Sequence, residues 1–150
     1  MELPLPPGVS FRADLRLLIW QPRGVLDEAQ VEALLAALEH AEDEAETPFN
    51  RYTDLSRIDL VDLRFEYIFR VSLYRRLLYA KRTPVKSAVF VISKTTASIA
   101  ATHAAVTKNS PLDVKVFSKK KEAAGWLDVT LEDLEVGHEA AISKERRAEP

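Results

Sequence analysis

The sequence contains no cysteine, and this absence excludes several kinds of chemistry. Without cysteine, no disulfide framework, thiolate nucleophile or thiolate metal site can form. Glycine is also scarce, and no two of the four glycines lie close together: Gly8, Gly24, Gly125 and Gly137. Glycine-rich phosphate cradles, such as G-x-G-x-x-G or a Walker loop, need closely spaced glycines. The sequence therefore argues against a nucleotide-binding enzyme.

Long apolar runs and an excess of charge are missing as well. The longest apolar stretches, Leu17–Trp20 and Ala88–Ile92, fall far short of the ~20 residues that span a bilayer. The net charge is −2, so no bulk basicity points to nucleic acid. The N-terminus has neither the basic start nor the apolar core of a secretory signal. These absences predict a cytoplasmic protein with no membrane span and no nucleic-acid partner.

The residues that are present predict alternating strands and helices. The chain has 150 residues, of which 47% are apolar, which is enough for one packed domain. Apolar patterns predict strands at 11–20, 50–56, 87–93 and 113–117, and helices at 27–42, 64–82, 95–107 and 119–127. This alternation favours a single α/β domain, with a mostly parallel or mixed sheet and helices packed on it.

Composition changes at both ends of the predicted domain. Three prolines lie within residues 1–10, and proline removes backbone donors, so an extended lead-in is predicted there. Residues 129–150 become charged and end in KERRAEP, which predicts a fraying C-terminal tail. The α/β domain itself is predicted to span residues 11–128.

The first predicted helix has the clearest pattern. Asp27 can cap it, and Gln30 completes a pattern like a capping box. One face is apolar at helical spacing, through Val31, Leu34, Leu35 and Leu38. The opposite side and the exit are acidic and are predicted to be exposed: Glu28, Glu32, Glu39, Glu42, Asp43 and Glu44.

Several short segments resemble the STAS domains of anti-sigma-factor antagonists. Residues 24–27 (GVLD), with the helix that follows, resemble the family's opening. Residues 52–62 resemble its second region, in which a strand leads through a short loop to an Asp at the start of a helix. Residues 88–92 and 114–127 resemble the last two strand–helix pairs. The resemblance covers roughly residues 12–128 and implies a STAS-like fold that works by binding.

The sequence departs from the signalling members of that family at one position. In those members, the Asp is followed by a phosphorylated Ser or Thr, with a Gly shortly after. Here Asp62 is followed by Leu63, Arg64 and Phe65. The hydroxyl and the glycine are both missing, so the resemblance does not carry over the phosphorylation switch.

Three carboxylates are the candidate catalytic groups. Asp54, Asp59 and Asp62 could do acid–base work or hold a divalent cation. The competing interpretation is structural: residues 58–63 are predicted to be a loop, and Asp62 would cap the next helix. The histidines have no metal-binding spacing: His40, His103 and His138. Since no base or ligand set converges on the carboxylates, we predict no enzyme, no cofactor and no metal.

The second predicted helix and its approach are rich in arginine. Arginine binds carboxylates and phosphates through two parallel hydrogen bonds. We therefore predict a partner-binding surface made of Asp62, Arg64, Arg70, Arg75 and Arg76. Two other interpretations stay open: a solvated helix face, or pairing of this basic helix with the acidic first helix.

A second candidate site lies at Thr95 and Thr96, which open a helix directly after a buried strand. Free N–H groups at a helix N-terminus favour an anion, and the carboxyl edge of an α/β sheet is where ligands bind. These residues are predicted to bind an anion, and an ordinary N-cap is the competing interpretation.

The predicted function is that of a non-catalytic STAS-like module with a regulatory role but no phosphoserine switch. It would bind a protein partner or pair with itself through the second helix. The alternative is a carrier for a small apolar molecule or a lipid, bound in a pocket between sheet and helices. Phe65, Ile68 and Val71 are predicted to line that pocket.

Overall fold

A computed structural model describes residues 5–135 of the chain. Within this range the strands are β1 Val9–Arg12, β2 Leu17–Trp20, β3 Gly24–Asp27, β4 Asn50–Asp54, β5 Ile58–Asp62, β6 Val85–Phe90 and β7 Leu112–Phe117. The helices are α1 Glu28–Glu44, α2 Phe65–Tyr79, α3 Lys94–Thr107 and α4 Lys120–Leu127. A further helical segment occupies residues 131–135. No helix in the described range is long and apolar enough to cross a membrane.

The main sheet has five strands in the order β1-β2-β4-β6-β7. Strand β1 runs antiparallel to β2, and all the other neighbours are parallel. The register places Ile19 beside Tyr52, and Tyr52 beside Ala88. Each parallel pair of the main sheet is joined by a crossover that carries a helix. The β2–β4 connection also carries β3, and the β4–β6 connection also carries β5. The prediction of one α/β unit with a mixed sheet is confirmed.

Both faces of the sheet are covered, as β2 illustrates. Successive side chains of a strand point to opposite faces. One face packs against α1 and α3, with a core that includes Leu18, Trp20, Val89, Leu38 and Ala100. The other packs against α4, with a core that includes Leu17, Ile19, Ala88, Ala123 and Leu127. Burial of each large aliphatic side chain contributes about 1.5–3 kcal/mol.

The first predicted strand is in fact a hairpin. Strand β1 ends at Arg12, the chain turns, and β2 begins at Leu17. Arg16 has a φ of 49°, the left-handed conformation that reverses the chain. Val9 pairs with Trp20, so the last two residues of the predicted lead-in belong to the sheet. The alternation of polar and apolar residues over 11–17 suggested one long strand, but it runs from the end of β1 through the turn at 13–16 to the start of β2.

Residues 58–63 are not a loop, and this prediction was wrong. Residues 58–62 form β5, which pairs in parallel with β3 to make a separate two-stranded sheet. Asp59 and Asp62 are exposed on this strand, where water solvates their charges, so the acidic residues gave a misleading turn signal. Asp62 ends β5 instead of capping α2, whose N-cap position is Arg64 without a side-chain hydrogen bond.

The cap of α1 is confirmed. Asp27 accepts a hydrogen bond from the Gln30 backbone N–H at 3.0 Å. For α4, the sequence predicts Ser118 as the cap, and this prediction is wrong: the helix begins after Lys119, which makes no side-chain cap hydrogen bond. Loss of a cap costs about 1 kcal/mol, so packing can offset it.

The packed part of the chain extends beyond residue 128. Leu134, in the helical segment 131–135, is only 1% exposed and belongs to the core beside α4. Charged residues from 129 onward predict a tail, but Leu134 shows that packed structure continues at least that far. Residues 136–150, including His138, lie outside the described range.

Candidate functional site

Helix α2 is inverted relative to an ordinary amphipathic helix. Its buried side chains can all form hydrogen bonds: Tyr67, Ser72, Arg75 and Tyr79. Its exposed side chains are largely apolar, with Phe65 62% and Leu77 67% exposed. An amphipathic surface helix normally turns its apolar residues inward. The inversion means that α2 contributes polar groups to the interior and an apolar face to the surface.

Long polar side chains connect α2 to the acidic side of α1. Tyr67 donates to Glu32 at 2.6 Å, and Tyr74 donates to Glu39 at 3.0 Å. Arg75 Nη2 donates to Glu42 Oε1 at 2.7 Å. Of the interpretations left open, the structure shows the pairing of the basic helix with the acidic first helix, and this pairing depends on tyrosines as much as on charges.

Glu42 is the centre of a buried charge cluster. Its carboxylate accepts hydrogen bonds from Arg75, from the Tyr79 hydroxyl and from Arg82, and lies 3.5 Å from Arg51 Nη2. The side chains of Glu42, Arg75 and Arg51 are 5%, 2% and 6% exposed. The Tyr79 ring lies beneath all three guanidiniums, at 4.9–5.2 Å from its centroid. The prediction that Glu42 would be exposed was wrong.

The cluster keeps Glu42 ionised. Burial raises the pKa of the Glu42 carboxyl, but the charge of Arg75 and hydrogen bonds from Tyr79 and Arg75 outweigh it. The net result is a pKa below the ordinary value of 4.5. Burial also lowers the pKa of Arg51, as expected for a cation taken out of water.

An apolar cavity of about 150 Å³ lies between these helices and the sheet. Helices α1, α2 and α3 and the central strands supply its walls, which include Leu34, Leu38, Ile68, Val71, Val89 and Ala100. Two of the three residues predicted to line a pocket, Ile68 and Val71, do so. Phe65 does not, because it lies on the exposed side of α2.

The cavity also contains a group of polar side chains. Arg51, Ser72, Arg75 and His103 all line it. Two buried atoms, Arg51 Nε and Arg75 Nη1, have no hydrogen-bond partner among residues 5–135. A buried N–H group without a partner costs about 1–3 kcal/mol, and more when it carries charge. Both atoms belong to residues that line the cavity.

His103 and Ser72 form a hydrogen-bonded pair in the same wall. Ser72 Oγ lies 2.8 Å from His103 Nδ1. Burial, followed by the charges of Arg75 and Arg51, lowers the pKa of His103 to about 4. The imidazole is therefore neutral at physiological pH, and it is a weak base for activating the serine.

Comparison with solved structures decides the fold. A crystal structure of an uncharacterized protein from the DUF3478 family of Shewanella loihica PV-4, described as having a SpoIIAA-like fold, matches this chain with a TM-score of 0.53. The sequences are 20% identical, and the match covers 80% of this chain and 90% of that one. This chain has a SpoIIAA-like fold. Comparisons of the sequence with protein-family models and with curated proteins give no match.

The SpoIIAA-like fold places the arginines of the predicted docking surface in different environments. Arg75 is buried and paired with Glu42, so it cannot contact a protein partner. This part of the prediction was wrong. Arg76 is partly buried and donates to the backbone carbonyls of Val106 and Lys108 at the end of α3. Both arginines stabilise the interior of the fold because they lie on the inner side of α2.

Three residues of that predicted surface do lie outside. Arg64 is 78% exposed on its side chain and lies 3.7 Å from Glu28. Arg70 is exposed above the Tyr67 ring, at 6.0 Å from its centroid. Asp62 is exposed at the end of β5. The exposed face of α2 is therefore mainly apolar and only flanked by charge.

That exposed face carries apolar side chains four residues apart. We call Phe65, Phe69, Leu73 and Leu77 the α2 ridge. All four are exposed, and the rings of Phe65 and Phe69 lie 6.3 Å apart. Side chains at i and i+4 are neighbours on a helix surface, so the ridge is continuous. Contiguous exposed apolar surface of this kind marks interaction sites.

The predicted anion site at the start of α3 is largely occupied by its own cap. Ser93 is the N-cap, and its Oγ accepts from the Thr96 N–H at 3.2 Å. Thr96 is 2% exposed, and its hydroxyl lies 2.8 Å from Ser93 Oγ. Only Thr95 is exposed. The two threonines therefore do not form one accessible pair.

The three candidate carboxylates do not converge. Asp54 is buried at the end of β4, accepts from the N–H and Oγ of Ser56, and lies 3.5 Å from Lys120 Nζ. Asp59 and Asp62 are exposed on β5. In residues 5–135, no group of three or more His, Asp or Glu side chains could hold a metal ion.

Sequence reasoning missed Arg51 and Glu42 as site residues. The available signal was that Arg51 is a charged residue inside a predicted strand of a sheet with helices packed on it. A buried charge requires a partner. No sequence signal indicated that the partner would be Glu42, near the end of α1.

Proposed function

We propose that this chain is a binding module that holds a small apolar molecule in the cavity between its sheet and its helices. The observation that supports this most directly is the largely apolar cavity of about 150 Å³. Protein interiors are normally packed without voids larger than a water molecule. A ligand in this space would add contacts with the apolar side chains that line it.

The cavity volume limits the size of the ligand. Engineered apolar cavities of about 150 Å³ hold one benzene molecule. A molecule of this size needs no large rearrangement of α1, α2 or α3. A long-chain lipid would exceed the space, so the carrier function is proposed for small apolar molecules.

The first prediction tests the cavity with toluene as a probe. In methyl-labelled protein, toluene should shift the signals of Ile68, Val71 and Val89, which line the cavity. Ala100→Leu should fill part of the space and weaken toluene binding by about tenfold or more, because the ligand and the new side chain compete for one volume.

The matched control for that experiment is Ala101→Leu, which adds the same side chain to the same helix at an exposed position. It should leave the toluene-induced shifts unchanged. Thermal unfolding of both variants would establish that they are folded. Wild-type methyl signals that do not respond to toluene would contradict the proposed function.

A second candidate function is self-association, and the α2 ridge favours it. Side chains spaced four residues apart form a ridge that can pack into the groove of an identical helix. A two-fold dimer needs only one such self-complementary patch. A second copy of the chain is therefore the partner proposed for this face, without the phosphoserine switch of the signalling STAS proteins.

The second prediction concerns this dimer. Native mass spectrometry of wild-type protein should show a dimer, and Leu77→Lys should shift the population to monomer, because a charge cannot be buried in the apolar contact. Ile92→Lys is the control, since Ile92 is 68% exposed but lies outside α2. A wild-type protein that stays monomeric at every concentration tested would rule out self-association through the ridge.

A further inference from the structure

The ligand-binding cavity has a charged wall, and the charge there is not balanced. On the basis of the proposed function, we infer that the enclosed molecule carries a single carboxylate, bound by Arg75 and Arg51. Its apolar part would lie among the side chains of α1, α2 and α3. The inference rests on three observations. Two guanidinium N–H groups have no partner among residues 5–135, the buried side chains carry an excess of positive charge, and the Ser72–His103 pair beside them is neutral.

Arg75 is the principal candidate for binding the carboxylate. It is 2% exposed and lines the apolar cavity. One end of its guanidinium, Nη2, donates to Glu42, whereas Nη1 has no partner in the described part of the chain. A guanidinium presents its donors in a rigid plane, so one edge can bind Glu42 while another binds a second carboxylate.

Arg51 adds a second free donor. Its Nη2 donates to the Tyr79 hydroxyl and lies 3.5 Å from Glu42, but Nε has no partner within residues 5–135. Arg51 lines both the apolar cavity and a neighbouring cleft of about 330 Å³. Arg75 lines only the first of these two spaces, so it is the more selective probe of the inference.

The charges at this site leave room for one anion. Arg51 and Arg75 are nearly fully buried, and within residues 5–135 Glu42 is the one buried carboxylate that forms ion pairs with them. Arg82, the third cation on Glu42, is 37% exposed, and water screens its charge. A buried cation without a counterion is strongly unfavourable. With one ligand carboxylate, the two buried positive charges would be matched by two negative charges. A dianion would leave an excess of negative charge.

The Ser72–His103 pair contributes hydrogen-bonding groups without adding charge. Both residues line the cavity, 2.8 Å apart between Oγ and Nδ1. With a pKa of about 4, His103 remains neutral at the pH where a carboxylic acid is ionised. The positive charge that faces the ligand therefore comes from the two arginines alone.

The third prediction compares probes that differ only in the head group. At pH 7.5, wild-type protein should bind hexanoate about tenfold or more tightly than 1-hexanol in isothermal titration calorimetry. Charge-assisted hydrogen bonds to a buried guanidinium account for a preference of this size. This comparison needs no variant and so does not depend on whether a mutant folds.

Two arginine variants then locate the head group. Arg75→Gln should bring the hexanoate and 1-hexanol affinities to within about threefold of each other, because it removes the charge. Arg64→Gln, an exposed change next to the same helix, should preserve the wild-type preference. Circular dichroism would show whether each variant is folded.

The outcomes separate this inference from the proposed function. If neither hexanoate, 1-hexanol nor toluene binds, the cavity is not a ligand site and both proposals fail. If hexanoate and 1-hexanol bind wild-type protein equally well, the proposed function stands and the carboxylate inference is wrong. A preference for hexanoate that survives Arg75→Gln in folded protein would also overturn the assignment to Arg75.

Discussion

Replacing Glu42 with glutamine is expected to lower the free energy of unfolding by about 3–5 kcal/mol. The Glu42 carboxylate accepts hydrogen bonds from Arg75 and Arg82, and it is the counterion of the buried Arg51. Glutamine keeps the shape but removes the charge. Arg51 and Arg75 would then be two buried cations with no anion beside them, which is the arrangement that makes broken buried ion pairs so costly.

Urea denaturation at pH 7 would measure this difference. Glu39→Gln is the matched control, because Glu39 lies on the same helix and accepts one hydrogen bond from the exposed Tyr74 hydroxyl. That change should cost no more than about 1 kcal/mol. A loss of less than about 1 kcal/mol for Glu42→Gln would show that water reaches the cluster and screens it.

The stability difference between wild type and Glu42→Gln should depend on pH in a defined direction. The pKa of Glu42 is lower in the folded protein than its ordinary value of 4.5. Its stabilising contribution is therefore complete above that value, and it is lost as the pH falls through the folded pKa. The stability difference between wild type and Glu42→Gln should accordingly be largest near neutral pH and should shrink below pH 4.5.

Leu134→Ala is expected to cost about 2–5 kcal/mol of unfolding free energy. Leu134 is 1% exposed and packs with the core of α4, on the side of the sheet opposite α1 and α3. Alanine would leave a void that the surrounding side chains fill only in part. The loss would establish that residues beyond 128 belong to the folded unit.

Leu131→Ala provides the control for this measurement. Leu131 lies in the same helical segment but is 39% exposed, so its truncation should cost well under 1 kcal/mol. Urea denaturation would measure the unfolding free energy of both variants. If Leu134→Ala and Leu131→Ala lower it by equal and small amounts, the segment at 131–135 contributes little to the stability of the domain.

Sequence patterns predicted those parts of the fold whose residues follow simple periodicities. The apolar face of α1 and the buried run of β6 are examples, because a regular pattern there matches a regular element. The prediction failed at β5, where Asp59 and Asp62 resembled turn residues. An exposed strand in a two-stranded sheet tolerates acidic side chains, and only its pairing with β3 distinguishes it from a loop.

The candidate site was harder to predict, for two physical reasons. Arg75 looked like a surface residue, because arginine is almost never fully buried unless it is paired, and its partner lies on another helix, 33 residues away. A cavity, moreover, is a gap left by side chains from several elements, so no local pattern encodes it. Ile68 and Val71 were predicted as lining residues because a pocket between sheet and helices must contact the second helix.

The strand order of the main sheet has a consequence for synthesis on the ribosome. After β1, every strand pairs with the edge left by an earlier one: β2 beside β1, β4 beside β2, β6 beside β4 and β7 beside β6. No late strand has to be inserted between two that are already paired. A nascent chain can therefore enlarge its sheet in one direction as it emerges. Among the described elements, the helical segment that contains Leu134 emerges last, and Leu134 joins the core that α4 covers.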